Sequence, residues 1–209
     1  MTAFLPDPSS WPFAPGESPF RIKGTAYRGH LEYVDAEVPG GVARMLADVD
    51  PRYSRFLGQQ FLAASFYDIF PLVVAAGPCA IAMGLSAPDF VARRSRAQAP
   101  KDLAGVYRFL LAMVPTRSVA KRLPQLFTQI LDFGKAEIER DAPGEVDAML
   151  DGLPGAISPW FGTVISAYGE AALRTSGAKR AALTVRPGTF ARTEHGVPLV
   201  RSLIEVRWS

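Results

Sequence analysis

The stretch KAEIERDAPGEVDAML, residues 135–150, decides how this chain folds. In its first half apolar residues alternate with Glu137 and Glu139, and in its second half they occupy every other position over 146–150. A period of two is typical of a strand buried on one face. Ala142-Pro143-Gly144 lies between the halves and is a favourable turn sequence. The stretch therefore predicts an antiparallel pair of strands.

The same alternation returns twice towards the C-terminus, over residues 180–186 and 204–208. Between the first hairpin and these strands, residues 160–174 carry apolar side chains at helical spacing. Gly162 and Gly169 in that helix are small enough to let it lie close to a sheet. The C-terminal part is thus predicted to be a small antiparallel four-stranded sheet with one inserted helix. The stretch 187–198 joins the last two strands as a loop or irregular hairpin.

The chain before residue 135 is predicted to be mainly helical. One helix is expected over residues 55–67 and another over 87–99, which Pro100 interrupts. The apolar segment 71–85 is expected at the centre of the core. The fold class is therefore α+β, with a mainly helical N-terminal half packed on the sheet.

Three segments follow from this division: an arm over residues 1–20, a helical subdomain over 21–134, and a sheet-plus-helix subdomain over 135–209 that shares one core with the second. The arm holds five prolines, which oppose helix and central strand. Its aromatic residues Trp11 and Phe13, with Phe20 at its end, leave two interpretations open. The arm is either disordered or lies ordered on the body or on a partner.

Composition narrows the function classes. The chain has 209 residues with a formal charge of +3, and its basic residues are scattered apart from Arg93, Arg94 and Arg96. That run is interpreted as a solvated helix face, and no nucleic-acid partner is expected. The apolar segment 71–85 is too short to span a membrane, and no secretory signal is recognised, so a cytoplasmic protein is expected. Cys79 is the single cysteine, so it has no partner for a disulfide within the chain. Because it lies in the apolar segment 71–85, it is predicted to be a buried inert thiol.

Motifs for metal, nucleotide or nucleophilic chemistry are absent from the sequence. The two histidines, His30 and His195, lack metal-ligand spacing, so no metal site and no cofactor are predicted. Asp68, next to the most apolar segment, is a weak candidate for a general acid or base, and Asp132 is a second. The alternative for both is a hydrogen-bonding role at a helix end. An enzyme is therefore uncertain, and a non-enzymatic function is favoured.

Large apolar side chains on the middle helices are the candidates for lining a ligand pocket. In a protein built from a helical half and a sheet half, a small apolar ligand usually binds between the two halves. The alternative is a fully packed core. The candidate pocket residues are Tyr67, Phe70, Cys79, Met83, Tyr107, Met113, Phe127 and Phe133.

Several segments carry a resemblance to a known family. Ile22-Lys23-Gly24-Thr25, residues 123–134 and the closing Ile204-Glu205-Val206-Arg207-Trp208 resemble a myxobacterial family of unknown function. That family looks like a relative of the haem–nitric-oxide-binding (H-NOX) sensor domains and of four-vinyl-reductase-type ligand domains. The resemblance implies a helical subdomain packed on a sheet subdomain, with a ligand cavity between them.

The chain departs from the sensor domains at both of their haem-holding features. They bind haem through a histidine on a central helix and a Tyr-x-Ser-x-Arg clamp. This chain has no histidine between His30 and His195, and Tyr53-Ser54-Arg55 has the wrong spacing for the clamp. The resemblance, with these departures, implies a cavity without haem.

Three functions remain open. The first is a binding or sensing module for a small hydrophobic molecule. The second is an enzyme of secondary metabolism that acts on an apolar small molecule through an isolated carboxylate. The third is a structural or regulatory protein that works by assembly, in which Trp11, Phe20 and Trp208 could meet another subunit as a homo-oligomer.

Overall fold

The structure, a computed structural model, describes residues 3–104 and 113–209, with the backbone alone over 124–128. After the arm, strand β1 (Arg21–Lys23) pairs antiparallel with β2 (Phe66–Asp68). The helices of the N-terminal half are α1 (Gly24–Glu37), α2 (Gly41–Asp48), α3 (Pro51–Leu57), α4 (Phe70–Val74), α5 (Ala76–Ala82), α6 (Ala87–Asp102) and α7 (Thr116–Ile130).

The C-terminal half is an antiparallel sheet with one helix, α8 (Ser158–Thr175), inserted after its second strand. Its strands are β3 (Lys135–Ala142), β4 (Glu145–Pro154), β5 (Ala181–Val185), β6 (Thr189–Glu194) and β7 (Val197–Trp208). They run in the order β3-β4-β7-β5, and β6 also pairs with β7. The predicted α+β class is confirmed.

The sheet has five strands rather than the predicted four. The additional strand, β6, comes from the stretch 187–198. Every residue of β6 is exposed, so it lacks the alternation that identified the other strands. His195 and Gly196 have φ angles of 51° and 78° and form the two-residue turn into β7.

Helix α8 packs closely on the sheet, as the small residues in its sequence predict. A Cβ on Gly169 would lie 2.3 Å from Leu183 Cδ1, and one on Gly162 would lie 3.3 Å from Val185 Cβ. Both contacts are with β5. The inner face of the sheet is completed by the buried alternate residues of β4 and β7, with Ala148 opposite Ile204 and Val146 opposite Val206.

The predicted helix over residues 55–67 is wrong. Helix α3 begins earlier, at Pro51, with the Asp50 side chain capping it, and ends at Leu57. The last residues of the predicted segment extend as β2 because their backbone pairs with β1, with Ile22 opposite Tyr67. This pairing joins segments more than forty residues apart, so local periodicity does not reveal it.

Pro100 does not interrupt α6, contrary to the prediction. The helix continues through it to Asp102. A proline costs one backbone hydrogen bond to the residue four positions earlier and crowds the turn before it. Because Pro100 lies near the C-terminus of α6, both effects fall within the last turns of the helix, and two more residues remain helical after it.

Within the described ranges no single helix has both the length and the apolar composition of a membrane span. The segments 70–82 and 87–102 meet both conditions only when taken together, and they are bent by 104° relative to each other.

The arm is ordered and packs on the body of the same chain. Trp11 and Phe20 are buried and belong to the same cluster of core residues as Phe70, on α4, and Val206, in the sheet. Of the two interpretations of the arm, the ordered one is correct. The division of the chain at residues 20 and 134 stays a prediction.

Candidate ligand site

Trp11 and Phe20 of the arm pack on the N-terminal half, and Phe20 also reaches the β6–β7 turn of the sheet. Trp11 stacks on Phe70, with ring centroids 4.3 Å apart and planes inclined by 2°. Phe20 lies edge-on to Phe133 at 5.5 Å and to His195, in the β6–β7 turn, at 6.3 Å. We call Trp11, Phe20, Asp68, Phe70 and Phe133 the arm junction.

Asp68 holds the arm in place through hydrogen bonds to backbone. Its Oδ2 accepts from the N–H of Gly16, in the arm, at 3.0 Å, and its Oδ1 accepts from the N–H of Phe70, at the start of α4, at 2.9 Å. Burial raises the pKa of this carboxyl to about 6, although hydrogen bonds from Phe70, Gly16 and Ser18 oppose the shift. Asp68 thus fastens the arm to the helical half.

Tyr27 supports the same region from α1. Its hydroxyl donates to the Asp68 carbonyl at 2.5 Å and accepts from the Leu72 N–H at 3.0 Å. Its ring stacks on Phe61 with centroids 4.1 Å apart. Burial raises the pKa of the Tyr27 hydroxyl, with the nearby Asp68 charge adding to the shift, so the group stays protonated as a donor. The junction therefore rests on a rigid backbone frame.

Asp132 has the equivalent role at the end of α7. Its Oδ1 accepts from the Arg21 N–H at 2.8 Å, and its own N–H donates to the Arg21 carbonyl at 3.2 Å. Burial raises the pKa of the Asp132 carboxyl, with the Arg21 backbone hydrogen bond opposing the shift. Each candidate catalytic carboxylate thus has a backbone hydrogen-bonding role at a segment end, which is the alternative weighed from the sequence.

The predicted pocket residues are dispersed over the N-terminal half. Phe70 and Cys79 are buried. Tyr67, Met83 and Phe133 are half-buried against the core. Met113 is 68% exposed. Tyr107 lies outside the described residues, as does the side chain of Phe127, so the set as a whole stays a prediction.

Cys79 has the properties of an inert thiol. It is fully buried on α5 and forms no disulfide. Burial raises the pKa of its thiol to about 12, although the positive charge of Arg94 opposes the shift. A thiol with this pKa is protonated at neutral pH.

Two surface concavities of the described residues lie away from the predicted pocket. One of about 270 Å³ is at the sheet edge, and one of about 210 Å³ is a groove between α6 and α8. The first is lined by Gly144, Arg180, Ala181, Ala182, Arg207, Trp208 and Ser209. The second is lined by Ala92, Arg96, Thr163, Ser166, Ala167 and Glu170.

A second group of polar residues lies buried between α1 and α6, and sequence reasoning missed it. The run Arg93, Arg94 and Arg96 is not a uniformly solvated helix face, because Arg94 is only 4% exposed. Its side chain points inward with the buried positions of α6, which are Phe90, Val91, Arg94, Ser95, Gln98 and Ala99. The signal was present in the sequence, since Arg94 falls three and four residues from apolar Val91 and Phe90.

His30 faces this group from the middle of α1. Its ring is edge-on to Phe90 at 6.4 Å, and its Nε2 atom is buried without a hydrogen-bond partner. Burial, together with the positive charge of Arg94, lowers the pKa of His30 to about 3. Helix α1 begins at Gly24, so His30 lies nearly two turns into it.

The group continues to α8 through a short hydrogen-bond chain. Gln98 Nε2 donates to Asp102 Oδ1 at 2.7 Å, and the Tyr168 hydroxyl donates to Asp102 Oδ2 at 2.5 Å. Gln98 Oε1 and Ser95 Oγ are buried without a partner. We call His30, Arg94, Ser95 and Gln98 the Arg94 cluster.

Metal-binding geometry is not found in the described ranges, where no group of three or more His, Cys, Asp or Glu side chains could hold an ion. The carboxylates on the outer face of the sheet pair with arginines instead. Asp147 lies 2.5 Å from Arg207, and Asp151 lies 2.9 Å from Arg192. These are the solvated carboxylates that the strand pattern predicts.

Comparison with known proteins places the fold. No family model matches this chain, and no curated protein matches it. Solved structures do: an Fe(II) unliganded H-NOX protein from K. algicida has a TM-score of 0.56 at 7% identity, covering 90% of this chain and 97% of that chain. An oxygen-binding H-NOX domain related to soluble guanylate cyclases has a TM-score of 0.59 at 8% identity, covering 90% and 95%.

A mutant of T. tengcongensis H-NOX gives a TM-score of 0.58 at 10% identity, covering 90% of this chain and 98% of that chain. The likeness extends over nearly the whole of each protein. The chain therefore has an H-NOX-like fold, as the resemblance implied. At this level of identity, the comparison establishes the fold alone.

Proposed function

We propose that this protein is a binding or sensing module for a small apolar molecule and that it works without haem. The similar solved structures include an oxygen-binding domain, so the fold is one that houses ligands in other proteins. The observation that carries the proposal is the stacking of Trp11 on Phe70 at 4.3 Å. A residue of the proline-rich arm thus covers the ring of Phe70, one of the predicted pocket residues.

The described residues do not fit a haem. Haem iron needs an axial ligand such as His, Cys, Met or Tyr. His30 is enclosed between α1 and α6, His195 is exposed in a turn, and the Cys79 thiol is protonated. At the arm junction the aromatic rings of Trp11 and Phe20 fill the space. Tyr53 is buried with its hydroxyl donating to the Pro8 carbonyl, so it forms no clamp.

The burial of Trp11 has an unfavourable contribution. Its indole Nε1 is buried with no hydrogen-bond partner. A buried unsatisfied donor costs about 1–3 kcal/mol, whereas stacking of the ring is favourable. An apolar molecule of similar size would make the same stacking contact with Phe70 without burying a donor. This difference supports exchange between the arm and a ligand.

Asp68 does not favour an enzyme over a binding module. Both of its oxygens accept backbone N–H groups, and one of these belongs to the arm. A general acid or base needs a free oxygen within hydrogen-bond reach of substrate. In the described structure this carboxylate instead controls how firmly the arm is attached.

Fluorescence of Trp11 tests the proposal. The chain has three tryptophans, so Trp160→Phe with Trp208→Phe leaves Trp11 as the single emitter. Titration with toluene as an apolar probe is expected to give a saturable red shift as the indole leaves Phe70 for water. The matched control is Trp11→Phe with Trp208→Phe, which retains Trp160, buried at the start of α8, and should not shift.

Two results would contradict the proposal. A shift that is equal in both variants would be a solvent effect, and no shift in either would mean that the arm stays in place. The absorption spectrum of the purified protein tests the absence of haem, because a Soret band would overturn that part. A native mass spectrum beside a denatured one would reveal a captured ligand by its mass.

A further inference from the structure

Arg94 is a charged group buried without an ionic partner. Its Nη2 donates to the Ala26 carbonyl at a long 3.4 Å, and its Nε is buried with no hydrogen-bond partner. A guanidinium stays protonated at any pH that a protein experiences. The positive charge therefore cannot be removed by titration when the side chain is buried.

No carboxylate of the chain compensates this charge. All twenty Asp and Glu residues lie in the described ranges, and none of them is within ion-pair distance of Arg94 there. The residues outside those ranges contain no acidic side chain. Asp102, the acid on the same helix, is engaged by Gln98 and Tyr168 instead. A buried charge of this kind is costly unless an anion pairs with it.

The surroundings add further unpaired polar atoms. His30 Nε2 on α1 and Ser95 Oγ on α6 are both buried without partners. Ser95 follows Arg94 directly on α6, and both residues are buried. The other titratable groups whose pKa responds to the Arg94 charge are Tyr33 on α1, Cys79 on α5 and Tyr168 on α8.

These groups share one electrostatic character. The tyrosines and the thiol are neutral at neutral pH, and burial raises their pKa further. His30 is neutral as well, because burial lowers its pKa. Among these groups none supplies a negative charge at neutral pH.

We propose that the Arg94 cluster is a binding site for a small oxyanion, with the Arg94 guanidinium as its anchor and the carboxylate group of an organic acid as its preferred ligand. A carboxylate matches the fork of a guanidinium, which can give it two parallel N–H bonds. The Arg94 Nε has no partner and is the donor available, and the buried aromatic ring of Phe90, edge-on to His30, favours an organic ligand. The site stands whether or not the arm junction exchanges with an apolar molecule.

Histidine NMR tests this site directly. Because the chain has two histidines, the Cε1–H signal of His30 reports on the cluster, and exposed His195 is an internal reference. At neutral pH in a zwitterionic buffer, added sodium acetate is expected to move the His30 signal saturably and leave that of His195 in place. Inorganic phosphate in a parallel titration shows whether the site takes inorganic oxyanions as well.

Variants of the arginine run supply the matched controls. Arg94→Met should abolish the response, whereas Arg93→Met and Arg96→Met, at exposed positions on the same helix, should keep it. Replacing a buried unpaired charge with an apolar side chain of similar length is neutral or stabilising. Without added anion, Arg94→Met is therefore expected to unfold at the same temperature as the natural chain or above it.

Each other outcome would overturn the site. A linear or equal shift of both histidines would be a bulk salt effect, and no shift with either anion would mean that nothing binds. A response that survives in Arg94→Met would remove the anchor. An Arg94→Met protein that unfolds at a lower temperature or fails to fold would show that the guanidinium serves the fold instead.

Discussion

The arm junction and the Arg94 cluster both bury a charged side chain, but only the first pairs it fully. Both oxygens of Asp68 accept backbone N–H groups, whereas Arg94 Nε has no partner and no carboxylate of the described residues is within ion-pair distance of Arg94. A charge with its hydrogen bonds filled stabilises the contact it makes, and one without them costs free energy. The arm junction thus stabilises the fold, whereas the Arg94 cluster is the region that we propose to bind a ligand.

Trp11→Ala is the change with the largest expected effect on this comparison. It removes the ring that stacks on Phe70 and leaves a cavity in the junction. Loss of a large buried aromatic costs about 3–5 kcal/mol of unfolding free energy. Urea denaturation would measure the loss, with Phe13→Ala, a half-buried arm residue, as a control that loses less. Equal losses would mean that Trp11 does not anchor the arm.

Asp68→Ala comes next, because it leaves the backbone N–H groups of Gly16 and Phe70 without acceptors. Unsatisfied buried donors cost about 1–3 kcal/mol each, and relief of the buried charge offsets part of this, so we expect a net loss of about 2–4 kcal/mol. Limited proteolysis should then cut within the arm. Asp7→Ala, at an exposed arm position, is the control and should lose much less stability. An arm equally protected in both variants would contradict the fastening role.

His30 in the Arg94 cluster and Asp68 in the arm junction are expected to change the stability of the protein in opposite directions as the pH falls. The pKa of His30 is lowered to about 3, so the folded state binds fewer protons than the unfolded state, and stability falls as the pH drops below 6.5. The pKa of Asp68 is raised to about 6, so stability rises as the pH drops below 6 towards 4. At about 1.4 kcal/mol per pH unit, the two terms between pH 7 and 5 are a loss of about 2 and a gain of about 1.4 kcal/mol.

Variants at each position separate these terms. The natural chain should change little in stability between pH 7 and 5 because the terms oppose each other. His30→Gln should become more stable on acidification, and Asp68→Asn should become less stable. Chemical denaturation at both pH values measures this, and parallel curves for all three proteins would show that neither group has the assigned pKa.

Sequence reasoning succeeded where one face of an element is buried and the other is not. The alternation in β4 and β7 and the glycines of α8 could be recognised because each feature is local and repeats along the chain. Strand β6 was not recognised as a strand because both of its faces are exposed. Strand β2 was mistaken for helix because its partner, β1, is distant in sequence.

The candidate sites show the same limit. The aromatic character of Trp11 and Phe20 was visible, but which ring each would meet depends on how the arm folds back. In the run Arg93, Arg94 and Arg96, charge alone does not say which side chain points inward. Helical phase relative to Phe90 would have identified Arg94, because residues four apart share a face. The identity of a ligand, by contrast, is carried by no local pattern.

The smallest expected effect concerns the seam between α1 and α6. A Cβ on Gly29 would lie 2.8 Å from Gln98 Nε2, which is the movable end of a side chain. Gly29→Ala gains about 1 kcal/mol in helix propensity and displaces Gln98 from Asp102, so the two terms nearly cancel. We expect thermal unfolding within a few degrees of the natural chain. Gly169→Ala is the contrast, because its Cβ would lie 2.3 Å from Leu183 at a packed helix–sheet contact, and it should lose about 1–3 kcal/mol. If Gly29→Ala lost as much, the Arg94 cluster would be packed as tightly as the sheet and would have no room to accommodate an anion.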